Sequence, residues 1–113
     1  PEKVKGGAFG LTEGLDKEVV GRHIRMRLNQ VKTCYEQELQ KNPNLFGKVT
    51  VQFTIGGTGE IAEAHIMDST MGSEGVESCV IRRIKAWTFP KPKGEGQVLV
   101  TYPFVFANTN AGS

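Results

Sequence analysis

Nothing in this chain approaches the ~18 consecutive apolar residues of a membrane-crossing helix, and no basic-then-apolar leader opens it. Cysteine is scarce, with 2 in 113 residues, and Cys34 and Cys79 form no CxxC pair. The only histidines, His23 and His65, form no HxxxH pair. A zinc site usually shows at least one such short-range pair, so these four residues make a poor metal set. Charge of one sign is not in excess: the formal net charge is +2, too mild to demand nucleic acid as a partner. The chain opens on Pro1 without a methionine, and we read it as a piece whose targeting information lies upstream.

What is present is an ordinary globular composition, 38% hydrophobic and 23% charged over 113 residues, the length of one domain with its own core. The charges separate along the chain. From Val49 to Ile81 there is no Lys or Arg, while Glu60, Glu63, Asp68, Glu74 and Glu77 fall in this stretch. Arg82, Arg83 and Lys85 then follow, with Lys91 and Lys93 beyond. That basic run reads either as a patch for an anionic partner or as a solvated helix face, and helical spacing favours the face.

Asp16 is a suitable N-cap, and Val20, Ile24, Leu28, Val31, Tyr35 and Leu39 recur at three- and four-residue steps. This predicts one amphipathic helix of about seven turns, stopped at Asn42-Pro43. The period then changes to two: Val49, Val51, Phe53 and Ile55 alternate with polar residues, as in a half-buried strand. Gly56-Gly57-Thr58-Gly59 predicts a tight turn into a second strand ending near Ser69, with a bulge between Ile61 and Ala64 where alternation fails. A second helix carries Val76, Val80, Ile84 and Trp87 on its apolar stripe. A last strand runs from Val98 to Phe106 with Pro103 inside it, which confines it to a sheet edge, a strand end or a bulge. A short extra strand is expected around Val4–Phe9. The segments divide as 1–14, a domain over 15–106 and a tail over 107–113, and the class is α+β, an antiparallel sheet with helices on one face.

Cys34 and Cys79 each lie on an inward stripe, which fits either a disulfide or two buried thiols. Cys34 with His65 is the one arrangement resembling a nucleophile and a base, but His65 sits among polar neighbours on a strand. The paired acids have no apolar pocket to raise a pKa, and the Gly56–Gly59 turn leads into a strand rather than a helix, unlike a phosphate loop. An enzyme is not expected.

The assembled pattern is more specific than its parts: Cys34-Tyr35-Glu36, Asn42-Pro43, Gly47-Lys48-Val49-Thr50-Val51, Phe53, Gly59, Glu77-Ser78-Cys79, Trp87, Phe89-Pro90 and Tyr102-Pro103-Phe104 in that order. It resembles the TonB C-terminal domain superfamily over about Leu15–Phe106. Within it the chain is similar to the branch named after myxobacterial gliding-motility proteins (the AgmX/PglI type). The resemblance implies a three-stranded antiparallel sheet with two helices packed on one face, in a periplasmic domain tethered upstream to the inner membrane. It also implies a Cys34–Cys79 disulfide, since disulfides persist in the periplasm. Its function would be capture of an envelope-protein segment by strand addition, with force passed across the envelope and no cofactor. The last strand is the expected docking edge, through Val98, Leu99, Val100, Thr101, Tyr102 and Phe104. The alternatives are a thiol- or metal-dependent protein using Cys34, Cys79 and His65, and a scaffold that dimerises or binds cell-wall polymer through Arg82, Arg83 and Lys85.

Overall fold

A computed structural model describes residues 2–94 and 96–108. The elements run β1 (Glu2–Gly6), β2 (Gly10–Leu11), α1 (Lys17–Arg25), α2 (Leu28–Leu39), β3 (Gly47–Ile55), β4 (Ile61–Ser69), α3 (Glu74–Lys85) and β5 (Val98–Asn108). Among the described residues no helix is long and apolar enough to cross a membrane. The sheet is antiparallel in the order β1-β5-β3-β4, with β2 also paired to β5. Among the described residues the expected three strands and two helices are therefore five strands and three helices.

Two departures account for the difference. The first is the long N-terminal helix, which breaks at Met26-Arg27. In an unbroken helix the Arg27 amide would donate to the His23 carbonyl. Here that amide donates to the Ile24 carbonyl instead (2.9 Å), and the Arg27 guanidinium takes the vacated His23 carbonyl through Nη1 (2.9 Å). Nη2 reaches the Thr88 carbonyl at 3.4 Å, so a contact distant in sequence holds the break. The second is the N-terminal segment, which forms two short strands around a three-residue gap rather than one strand over Val4–Phe9. At the other end Ala107 and Asn108 belong to β5 rather than to a tail, and residues 109–113 lie outside the described residues.

Local signals explain most of the rest. Asp16 caps α1, its Oδ1 accepting from the Glu18 amide (2.8 Å), and Ser73 caps α3 by accepting from the Val76 amide (3.2 Å). β3 buries Val49, Val51, Phe53 and Ile55 and leaves Thr50, Gln52 and Thr54 between them partly exposed, as its period demands. β4 loses register against β3 twice, leaving Ala62 and Met67 without partners across the ladder. The first bulge restores Ile61 and Ala64 to one face, as their spacing predicts. In the β3–β4 turn, Gly59 has φ +88°, and a Cβ there would overlap the Phe89 carbonyl, so only glycine fits. Gly59 and Phe89 are bonded through the Phe89 amide (2.8 Å), which ties the hairpin to the segment after α3.

All three helices contribute to one core on the buried sheet face. Val20 and Ile24 of α1, Val31 and Tyr35 of α2, and Val76, Val80 and Ile84 of α3 are inaccessible, as are Val98, Val100 and Phe104 of β5. Cys34 and Cys79 meet there as a disulfide between α2 and α3. Trp87 is buried beyond the end of α3, but Phe89, rather than Trp87, stacks on Phe53 (5.8 Å between centroids).

Candidate partner-binding surfaces

The expected docking edge is not an edge. β5 is bonded to β3 on one side over its first nine residues and to β1 and β2 on the other. Val98, Val100, Tyr102 and Phe104 point into the core, while Leu99 and Thr101 share the opposite face. The Leu99 amide donates to Thr12 Oγ1 (2.9 Å) and its carbonyl accepts from the Thr12 amide (3.1 Å), so the proposed template groups are already occupied.

Pro103 tolerates this central position for a specific reason. In an antiparallel ladder the amide and carbonyl of one residue face the same neighbour. The Pro103 carbonyl accepts from the Gly7 amide (3.1 Å), which places its missing N–H toward the gap between β1 and β2, where no ladder bond is lost.

The cover on β5 is thin. Val4, Phe9 and Leu11 are only partly buried, although Phe9 packs against the Tyr102 ring (4.9 Å). Gly6 lies so close to Tyr102 that a Cβ would overlap the phenol hydroxyl. Replacing Gly6 with valine is therefore expected to release β1 from β5, at about 1–3 kcal/mol of local stability. Hydrogen exchange at Val105 and Ala107, whose partners are Lys5 and Lys3, should then quicken roughly ten- to hundredfold. Exchange at Val49 and Val51, which face the other side of β5, should stay slow.

The edge left free among the described residues on the other side of the sheet is the outer side of β4, which pairs only with β3. The Thr70 amide donates to the Lys48 carbonyl (2.8 Å), which sets Lys48 and alternate residues of β3 toward β4. The ladder then leaves the backbone groups of Ala64 and Ile66 pointing out of the sheet. Glu63, Asp68 and the two bulges blunt the rest of this edge, the usual protection against indiscriminate pairing.

Between this edge and α3 runs an open groove of about 740 Å³. Ile66 and Ile81 form its apolar wall, Glu74 and Glu77 its acidic end, and Arg82 and Lys85 its basic end. On the other side of Arg82 is a second cleft of about 390 Å³, lined by Arg27, Gln30, Arg82, Arg83, Trp87 and Thr88. The predicted basic patch is thus divided: Arg82 and Arg83 share this cleft, while Lys85 faces the groove. Arg27, which falls within the single long helix expected from the sequence, completes the cleft because that helix breaks beside it.

Among the described residues no carboxylate stands within ion-pair distance of Arg27, Arg82, Arg83 or Lys85. The Arg83 Nε is buried and has no hydrogen-bond partner among the described residues. The Trp87 indole N–H donates to Gln30 Oε1 (2.8 Å), which fixes the amide and leaves its NH2, a donor only, for other acceptors. At the cleft's margin, burial and the positive charges of Arg27 and Arg22 lower the His23 pKa below its ordinary value.

The thiol alternative has no nucleophile here, because both sulfurs are in the bridge. His65 lies exposed on β4 with Glu63 as its neighbour (3.9 Å).

The chain belongs to the family described as Gram-negative bacterial TonB protein C-terminal, whose model matches residues 37–107. This is a family of periplasmic, non-catalytic protein-interaction domains. Searches of curated proteins and of solved structures found no match. The matched span runs from the last turn of α2 into β5, so β1, β2, α1 and most of α2 lie outside it.

Proposed function

We propose that this chain is a non-catalytic, TonB-like binding module of the periplasm. It captures an extended segment of an envelope protein by strand addition, within an inner-membrane-anchored protein of a gliding-motility or transport machine. The observation that carries this reading is an antiparallel sheet whose edge strand β4 is unpaired on its outer side among the described residues, beside a groove, in a chain of this family. Main-chain bonds to such an edge supply affinity, and pockets beside it supply selectivity. Transmission of force also fits the sheet order. A load entering through the N-terminal segment reaches β5 through the β1–β5 ladder, and β5 is bonded on both sides.

The test is site-specific photo-crosslinking in the native envelope, with the photoreactive residue at His65 on β4 and, as a control, at Lys41 beyond the end of α2. The expected result is an adduct from His65 that maps to one short segment of one envelope protein and is absent from Lys41. No adduct, or the same adducts from both positions, overturns strand capture at this edge.

A further inference from the structure

The arginine cleft and the groove beside β4 share Arg82, and together they describe the chemistry of a ligand. Every side-chain polar group that the cleft offers can donate: three guanidiniums, of which Arg27 already serves the His23 and Thr88 carbonyls, the Gln30 NH2, whose Oε1 is taken by Trp87, and the Thr88 hydroxyl. A lining of donors with a surplus of positive charge and no carboxylate of its own fits an oxyanion, which guanidinium forks bind through charge-assisted hydrogen bonds. The buried Arg83 Nε–H adds a second reason. A buried donor without an acceptor costs free energy, and this one belongs to a side chain that lines the cleft.

The groove decides which oxyanion. A free phosphate would use the arginines alone, whereas a polypeptide can use everything present along this surface. It can pair with the outward backbone of Ala64 and Ile66, place an apolar side chain against Ile66 and Ile81, and send a carboxylate past Arg82 into the cleft. The geometry points to an acidic polypeptide segment whose carboxylate sits among Arg27, Arg82 and Arg83 while the preceding residues lie along β4 and α3.

For a segment that pairs antiparallel to β4, as every strand of this sheet pairs, the order of its charges also follows. Ser69 Oγ donates to Glu77 Oε2 (2.9 Å), and Glu60 bridges to Thr88, so α3 runs antiparallel to β4 with its acidic end beside Ser69 and its basic end beside Ile61. α3 has 12 residues, about 18 Å of helix and the length of about five extended residues. A segment antiparallel to β4 therefore begins with a basic residue near Glu74 and Glu77, carries an apolar residue in its middle and ends on an acid.

This inference rests on the partner-capture reading, but the two fail separately. The probe is the peptide acetyl-Lys-Ser-Val-Thr-Asp-amide, titrated into the full chain and followed by NMR at the Trp87 indole N–H and the Arg83 Nε–H. Trp87 is the single tryptophan, so its indole signal is unambiguous. Saturable shifts of both signals are expected. Binding should fall about tenfold when the terminal Asp is replaced by Asn, the loss of a charged hydrogen bond. It should fall similarly in Arg82→Gln, whose exposed side chain can change without disturbing the core, and it should weaken as salt rises.

Equal binding by the Asn peptide, unchanged binding in a folded Arg82→Gln, or no saturable shift overturns the inference. Inorganic phosphate saturating both signals at matched ionic strength while the peptide does not also overturns it, in favour of a phosphate or cell-wall polymer ligand. Strand capture at His65 without peptide binding defeats this inference alone. Peptide binding without capture defeats the envelope-partner reading alone.

Discussion

Replacing both Cys34 and Cys79 with alanine is expected to lower the unfolding free energy by about 4 kcal/mol. The bridge closes 45 residues of chain, and in the chain-entropy model that closure restricts the unfolded ensemble far more than the folded one. The loop contains the whole β3–β4 hairpin and the first half of α3, so a reduced unfolded chain regains the freedom of that entire unit. A domain of this size has roughly 5–15 kcal/mol to lose, and the melting temperature should fall by roughly 15–25 °C. Denaturant titration of the variant against the oxidised chain measures the difference. Alkylation of the unreduced protein in denaturant, which should label neither cysteine, establishes the starting state. A difference below about 1 kcal/mol would show that the bridge does little to restrict the unfolded chain.

Trp87→Ala should cost about 3–5 kcal/mol, the range for removing a large aromatic ring from a packed site. Its indole is 3% exposed and packs edge-on to Phe89, which stacks on Phe53 of β3. The indole N–H also bonds Gln30 at the start of α2, so the truncation loosens the α2–α3 contact and the seam to the sheet together. Trp87→Phe separates the two contributions. It keeps most of the apolar area and loses the hydrogen bond, and should cost roughly 1–3 kcal/mol. In the unaltered chain, tryptophan emission should peak well to the blue of free indole in water. An emission maximum at the aqueous position, or a loss under about 1 kcal/mol in the alanine variant, would contradict this burial.

These two predictions draw on features visible in the sequence, and the surface that we assign to a partner does not. Val49, Val51, Phe53 and Ile55 alternate strictly, and alternation is a property of the extended backbone itself, which sends successive side chains to opposite faces. The same local logic revealed the Asp16 cap, the glycine turn, the bulge between Ile61 and Ala64 and the stripe that carries Cys79 and Trp87. Each of these is settled within a few residues of chain.

The position of β5 in the sheet was settled elsewhere. Pro103 said truthfully that one amide is missing, but the strand order depends on whether the first eleven residues fold back, and their few apolar side chains do not announce it. The gap between β1 and β2 opposite Pro103 is what lets a proline-bearing strand sit between two others. The break at Met26-Arg27 has no glycine or proline to mark it. It exists because Arg27 exchanges its own amide for its guanidinium at the His23 carbonyl while holding Thr88.

That exchange also brings Arg27 to Arg82 and Arg83, a grouping that no spacing in the chain could suggest. Periodicity records which way a side chain points, because backbone dihedrals fix that locally. Which strand has a free edge, and which charges share a cleft, depend on contacts between segments far apart in the chain, and only the closed tertiary structure decides them.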